Sequence, residues 1–99
     1  MSELRDITEN DIKIMKNMYD MKTSKGLSKA KAMTIDEIKE KTTELSESKV
    51  RDTIRLLLAY NYVDYGIKRG KKKTYHITNE GLNYVKSIKE LVINLIEEE

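Results

Sequence analysis

Apolar positions along this chain follow two rhythms, and the switch between them divides it into elements. In four places an apolar residue stands before a Ser or Thr, and a second apolar residue follows five positions after the first. These are Ile7-Thr8 with Ile12, Met33-Thr34 with Ile38, Leu45-Ser46 with Val50, and Ile77-Thr78 with Leu82. A hydroxyl so placed accepts a backbone N–H that the first turn of a helix leaves unpaired, and the two apolar residues close over it as a hydrophobic staple. Glu37, three residues after Thr34, completes a capping box at the second site. The pattern predicts helices over about 9–22, 35–42, 47–60 and 79–96. The inward face of the first is Ile12, Met15 and Tyr19, with Met18 beside them. Ile35 and Ile38 form that of the second, and Val50, Ile54, Leu57 and Leu58 that of the third.

Between the third and fourth helices the period falls to two. Val63, Tyr65 and Ile67 alternate with Asp64 and Gly66, and Tyr75 and Ile77 flank His76, as in half-buried strands. The residues between them, Lys68-Arg69-Gly70-Lys71-Lys72-Lys73, make a hairpin with a basic tip. From Lys22 to Ala32 the chain carries Lys22, Lys25, Lys29, Lys31 and Gly26 but no acid. This reads as an exposed loop, with a short strand near Ala32-Met33. No repeat or low-complexity linker interrupts the pattern. One domain over residues 1–99 is expected, with core and hairpin over about 1–78 and the last helix over 79–99.

The chain has 99 residues, 38% hydrophobic and 36% charged, which suits a single core. It has no cysteine, so disulfides and thiolate metal sites are excluded. The single histidine, His76, lies on a predicted strand, the four glycines are scattered, and the carboxylates are spread along helix surfaces. None of these forms a catalytic, metal or phosphate-cradling constellation, so no enzymatic activity, cofactor or metal is expected. No signal peptide and no membrane-crossing run is seen, which points to a cytoplasmic protein. The net charge is only +2, but it is unevenly placed. From Lys49 to His76 eight basic residues face two acidic ones, a local +6 that leaves −4 for the rest. Positive charge gathered on the third helix and the hairpin is an electrostatic footprint for nucleic acid.

Only Thr43, Glu44 and Leu45 separate the second and third helices, near the turn length of a helix-turn-helix. The stretch Leu45-Ser46-Glu47-Ser48-Lys49-Val50-Arg51 through Asn61-Tyr62-Val63 resembles the recognition helix and first wing strand of winged-helix regulators. Tyr75-His76-Ile77-Thr78-Asn79-Glu80-Gly81 resembles the second wing strand and following helix start of MarR- and PadR-type proteins. The resemblance spans roughly residues 33–90. Asn61 stands where the family usually has glycine, and asparagine tolerates the left-handed conformation needed there. The resemblance implies a mainly α fold with a small β-hairpin: a winged helix-turn-helix in the order helix-helix-helix-hairpin-helix, with a long C-terminal dimerisation helix. It also implies double-stranded DNA as the partner, without supplying a target sequence.

On the third helix Arg51 and Arg55 are four apart, on one face away from Val50, Ile54 and Leu57. Arginine can grip guanine O6 and N7 with two hydrogen bonds, so Arg51 is assigned to base readout and Arg55 to base or phosphate. Ser46, Ser48 and Lys49, at the helix N-terminus that meets the groove, are the next candidates. Lys68, Arg69, Lys71, Lys72 and Lys73 are assigned to phosphates, with Arg69 beside Gly70 able to enter a narrow minor groove. The plainer alternative is a solvated surface: Arg51 and Arg55 paired to Asp52 or a nearby Glu, and a hairpin tip kept soluble by lysines.

The last helix carries Leu82, Val85 and Ile88, then Leu91-Val92-Ile93-Asn94-Leu95-Ile96, apolar on nearly every side. A core of three short helices and a hairpin covers its first half. The second half, through Ile88, Leu91, Val92, Leu95 and Ile96, is expected to pack on a second copy; folding back within one chain is the alternative. The expected function is sequence-specific DNA binding by a homodimer, as a transcriptional regulator. A plasmid or phage accessory protein acting at an origin of replication or transfer is a close alternative, and a protein-binding adaptor is one of another class. With little room for a separate effector domain, control by a small ligand is not implied.

Overall fold

The computed structural model describes the backbone of residues 4–97 and the side-chain surroundings of residues 4–88. Its elements are α1 (Glu9–Asn17), α2 (Ile35–Lys41), α3 (Glu47–Ala59), β1 (Val63–Tyr65), β2 (Tyr75–Ile77) and α4 (Asn79–Glu97). All four predicted hydroxyls cap their helices. Thr8 accepts from the Asp11 N–H, Thr34 from Glu37, Ser46 from Lys49 and Thr78 from Gly81. The capping box at Thr34 forms, with Glu37 Oε1 accepting from the Thr34 N–H at 3.0 Å. A second box closes at Thr8, where Asp11 takes the return bond.

α1 is shorter than the sequence pattern predicts. Its last turn tightens at Met18, whose N–H reaches Met15 O, and the chain then turns back, Asp20 N–H donating to Lys25 O. Gly26 makes the return possible. Its φ is +75°, and a Cβ there would stand 1.7 Å from Met18 O, a conformation and an approach that only glycine accommodates. The inward face also differs. Asp11, Ile14, Met15 and Met18 are buried, an i, i+3, i+4, i+7 stripe that begins with a carboxylate, whereas Ile12 is only half-buried. On α3 the buried stripe Val50, Ile54 and Leu57 is as expected and also holds Thr53.

β1 and β2 pair antiparallel, Val63 with Ile77 and Tyr65 with Tyr75. Met33 bridges to the other edge of β2 through Tyr75, an isolated bridge at the place where a short strand was expected. Ile67 leaves the strand and is 63% exposed. Asn61 takes φ +63°, the left-handed conformation anticipated after α3. The core gathers Ile14, Met18, Met33, Ile38, Leu57, Ile77 and Val85 between α1, α2, α3, the hairpin and the start of α4. Ile88 on α4 is half-buried. The other expected dimer-interface residues, Leu91, Val92, Leu95 and Ile96, lie outside the residues whose side chains are described.

Candidate nucleic-acid interface

Seating Val50, Ile54 and Leu57 in the core leaves the opposite face of α3 in solvent, with Arg51 and Arg55 both exposed. The hairpin leaves the sheet beside that face. Between them lies a cleft of about 490 Å³. Arg51 and Arg55 of α3 line it together with Lys71, Lys72 and Lys73 of the hairpin, as do Ile54 and Leu58 of α3 and Thr34, Ile35 and Asp36 at the start of α2. Tyr65 and Tyr75 also line it, their rings 5.5 Å apart. Five cations thus line a single cleft with one carboxylate, Asp36, among the lining residues.

The ion pairs within this surface are of the exposed kind. Arg51 Nε meets Glu47 Oε2 at 3.3 Å along the helix, and Lys72 Nζ meets Asp36 at 2.7 Å. An exposed i, i+4 pair is worth about 0.3–0.5 kcal/mol and is screened by salt, too little to withhold Arg51 from a stronger anion. Arg55 makes no ion pair among the described residues. The hydrogen bond and charge of Asp36 raise the Lys72 pKa above its ordinary value, so this lysine is cationic at neutral pH. Burial pushes the Tyr75 hydroxyl up, and nearby Tyr65 adds to that; Tyr75 stays neutral there. Lys73 Nζ lies 5.8 Å from the Tyr65 ring centroid, within cation–π range.

Other expected site residues are placed elsewhere. Arg69 folds back: its guanidinium meets Glu37 Oε1 at 2.7 Å and donates to Ala32 O at 2.6 Å. It ties the hairpin to the start of α2 instead of projecting from the tip, where Gly70 takes φ +62°. Lys49 points to the far side of α3, onto Asp11 at 3.0 Å. Lys68 does not line the cleft and lies beside Gly66, Lys73 and Thr74. Ser48 is exposed at the start of α3, and the oxygen of Ser46 is committed to its cap.

Asp11 had no place in the sequence reading, yet it fixes how α3 sits. Fully buried, it accepts from Arg5 at 2.6 Å, from Thr53 Oγ1 at 2.6 Å and from the Thr8 N–H at 2.9 Å, besides pairing with Lys49. Burial alone would raise its pKa, but the Arg5, Thr53, Thr8 and Lys49 hydrogen bonds outweigh it and hold the carboxyl far below its ordinary range. Arg5 also reaches Asp52 at 2.8 Å, and Tyr60 donates to Arg5 O, so the N-terminal arm is strapped along the side of α3 turned from the cleft. Among the described residues there is no metal-binding cluster of acids and histidine, and no helix long and apolar enough to cross a membrane.

No protein-family model matches the chain. Over 46 residues it is 44% identical to the DNA-binding protein TubR of Clostridium botulinum C phage, a stretch that is 46% of this chain and 57% of that relative. Among solved structures, the Staphylococcus aureus MepR–DNA complex superposes with a TM-score of 0.72 at 14% identity, covering 94% of this chain and 70% of MepR. A PadR family transcription regulator from Clostridium difficile superposes with a TM-score of 0.67 at 20% identity, covering 92% and 93%. Four helices, an antiparallel hairpin after the third and these superpositions give one fold: the chain is a winged helix-turn-helix of the kind found in MarR- and PadR-type regulators.

Proposed function

We propose that this chain binds double-stranded DNA, with α3 in the major groove and the wing on the flanking backbone, and that it acts in the cytoplasm as a sequence-specific transcriptional regulator. The observation that carries the reading is the cleft, which Arg51 and Arg55 line together with Lys71, Lys72 and Lys73. A helix about 10–12 Å across fits a major groove about 12 Å wide. From there Arg51 and Arg55 reach base edges, Ser48 stands at the leading end, and the wing lysines meet phosphates. The working unit is a homodimer joined through the apolar second half of α4, from Ile88 through Leu91, Val92, Leu95 and Ile96. A second reading has the same chemistry and another place of action, an origin of replication or transfer on a plasmid or phage. The 44% identity to a phage DNA-binding protein favours it.

Selection of bound fragments from a pool of random duplexes tests the proposal. The expected result is an enriched motif in two half-sites whose spacing follows the helical repeat, about 10–10.5 base pairs or a multiple. Recovery of the pool without enrichment would leave only charge-driven binding. Recovery of no duplex would favour the protein-adaptor alternative.

A further inference from the structure

The connection between α1 and α2 carries Lys22, Lys25, Lys29 and Lys31, all exposed, and no acid between Met21 and Met33. It is not a slack tether. Gly26 O accepts from the Ile77 N–H at 2.8 Å, Lys29 O from Ile67 at 2.9 Å, and Ala32 O from Arg69 Nη2 at 2.6 Å. Met33 and Tyr75 exchange both backbone bonds. Gly66 lies so close that a Cβ there would stand 2.2 Å from Ala32 Cβ and 2.8 Å from Lys29 O. The backbone of the loop is thus laid against the wing and fixed to it.

Among the described residues these charges have no acidic counterpart. Lys31 Nζ donates to the backbone at Thr23 O, and none of the four lysines makes an ion pair among the described residues. The neighbouring acid, Asp20, accepts from the Lys22 backbone N–H. Four like charges within ten residues repel one another, so folding alone gives no reason to gather them. A polyanion laid along the loop does, because each phosphate neutralised releases condensed counterions.

We propose that this loop is a second phosphate-contact surface, along which a duplex seated in the α3–wing cleft continues past the wing. The inference rests on the duplex-binding reading of the cleft. Contacts to the backbone add affinity without reading sequence. The loop therefore sets how much flanking DNA contributes, while Arg51 and Arg55 set which site is chosen.

The test compares the full chain with two variants, Lys22, Lys25, Lys29 and Lys31 all→Gln and the same four all→Arg. Each is titrated by fluorescence anisotropy onto the selected motif alone and onto the motif extended by about ten base pairs, one helical turn, on each side. The parent and the Arg variant should bind the extended duplex more tightly. The Gln variant should bind both lengths alike, be weaker on the long one by roughly tenfold, and show a log–log salt slope shallower by about 2–3, two or three phosphates' worth. Its preference among sequences should be unchanged. Equal binding of the long duplex by the Gln variant and the parent overturns the proposal. So does an altered sequence preference, which would mean that the loop acts through the shape of the wing. A parent chain that binds neither duplex overturns the cleft reading instead, and this one with it.

Discussion

Replacing Asp11 with alanine should lower the stability of the fold by about 3 kcal/mol, the upper end of the about 1–3 kcal/mol expected for severing a buried hydrogen-bond hub, which here includes the return bond of the Thr8 capping box. For a domain of this size that is a fall in Tm of roughly 12–24 °C. The figure is kept below that for a fully buried ion pair because Arg5 and Lys49 are partly exposed, 38% and 28%, and can turn to water once the carboxylate is gone. The effect should depend on pH in one direction. The folded carboxyl titrates well below its ordinary range, so its stabilisation is fully present above the unfolded value of about 3.9 and fades as pH falls below it. Thermal melts of parent and variant should therefore stay separated from pH 8 to about 5 and converge under acid. A Tm within a degree or two of the parent at pH 7 would show that the hub does not hold α3.

The second large effect belongs to the cleft. Removing both arginines, Arg51→Ala with Arg55→Ala, takes away two side chains that can each discriminate a base pair by about 1–3 kcal/mol. The expected loss on the selected motif is about thirtyfold or more, since every 1.4 kcal/mol is tenfold. Affinity for unrelated duplex should fall far less, because the wing lysines remain. Competition binding with specific and random duplexes reads both numbers from one sample. The fold should be untouched, as both residues are exposed and outside the core. Retention of the full preference by the double variant would assign readout to other residues, Ser48 at the head of α3 first among them.

What the sequence disclosed about the fold was written locally. Thr8, Thr34, Ser46 and Thr78 each precede a helix, cap it, and needed no distant partner to be recognised. The hairpin followed from the period of Val63, Tyr65, Tyr75 and Ile77, and the turn after α3 from what Asn61 can adopt. The face of α1 was only partly legible: Met15 and Met18 were marked and are buried, but the stripe opens with Asp11, a carboxylate that hydrophobicity places at the surface. Only the convergence of Arg5, Lys49 and Thr53 from elsewhere in the chain makes that burial favourable. The end of α1 was hidden for a similar reason, since the approach of Gly26 to Met18 O is a tertiary fact.

At the candidate site, charge and helical spacing marked Arg51, Arg55 and the wing lysines, and the structure brings all of these but Lys68 into one cleft. They could not tell which cations the fold engages itself. Lys49 and Arg69 resemble their neighbours in sequence and differ only in lying within reach of Asp11 and Glu37. Thr34, Ile35 and Asp36 reach the cleft because α2 starts beside the wing, a placement with no local signal.

The central claim, that the cations of α3 and the wing form one duplex-binding surface, is tested most directly by titrating the full chain onto its selected duplex at 50 mM and 200 mM salt. With about three or four phosphate contacts from each of two protomers, affinity should fall by about 10³–10⁴ between the two conditions. Absence of binding at 50 mM, or affinities equal within error at both concentrations, would contradict it.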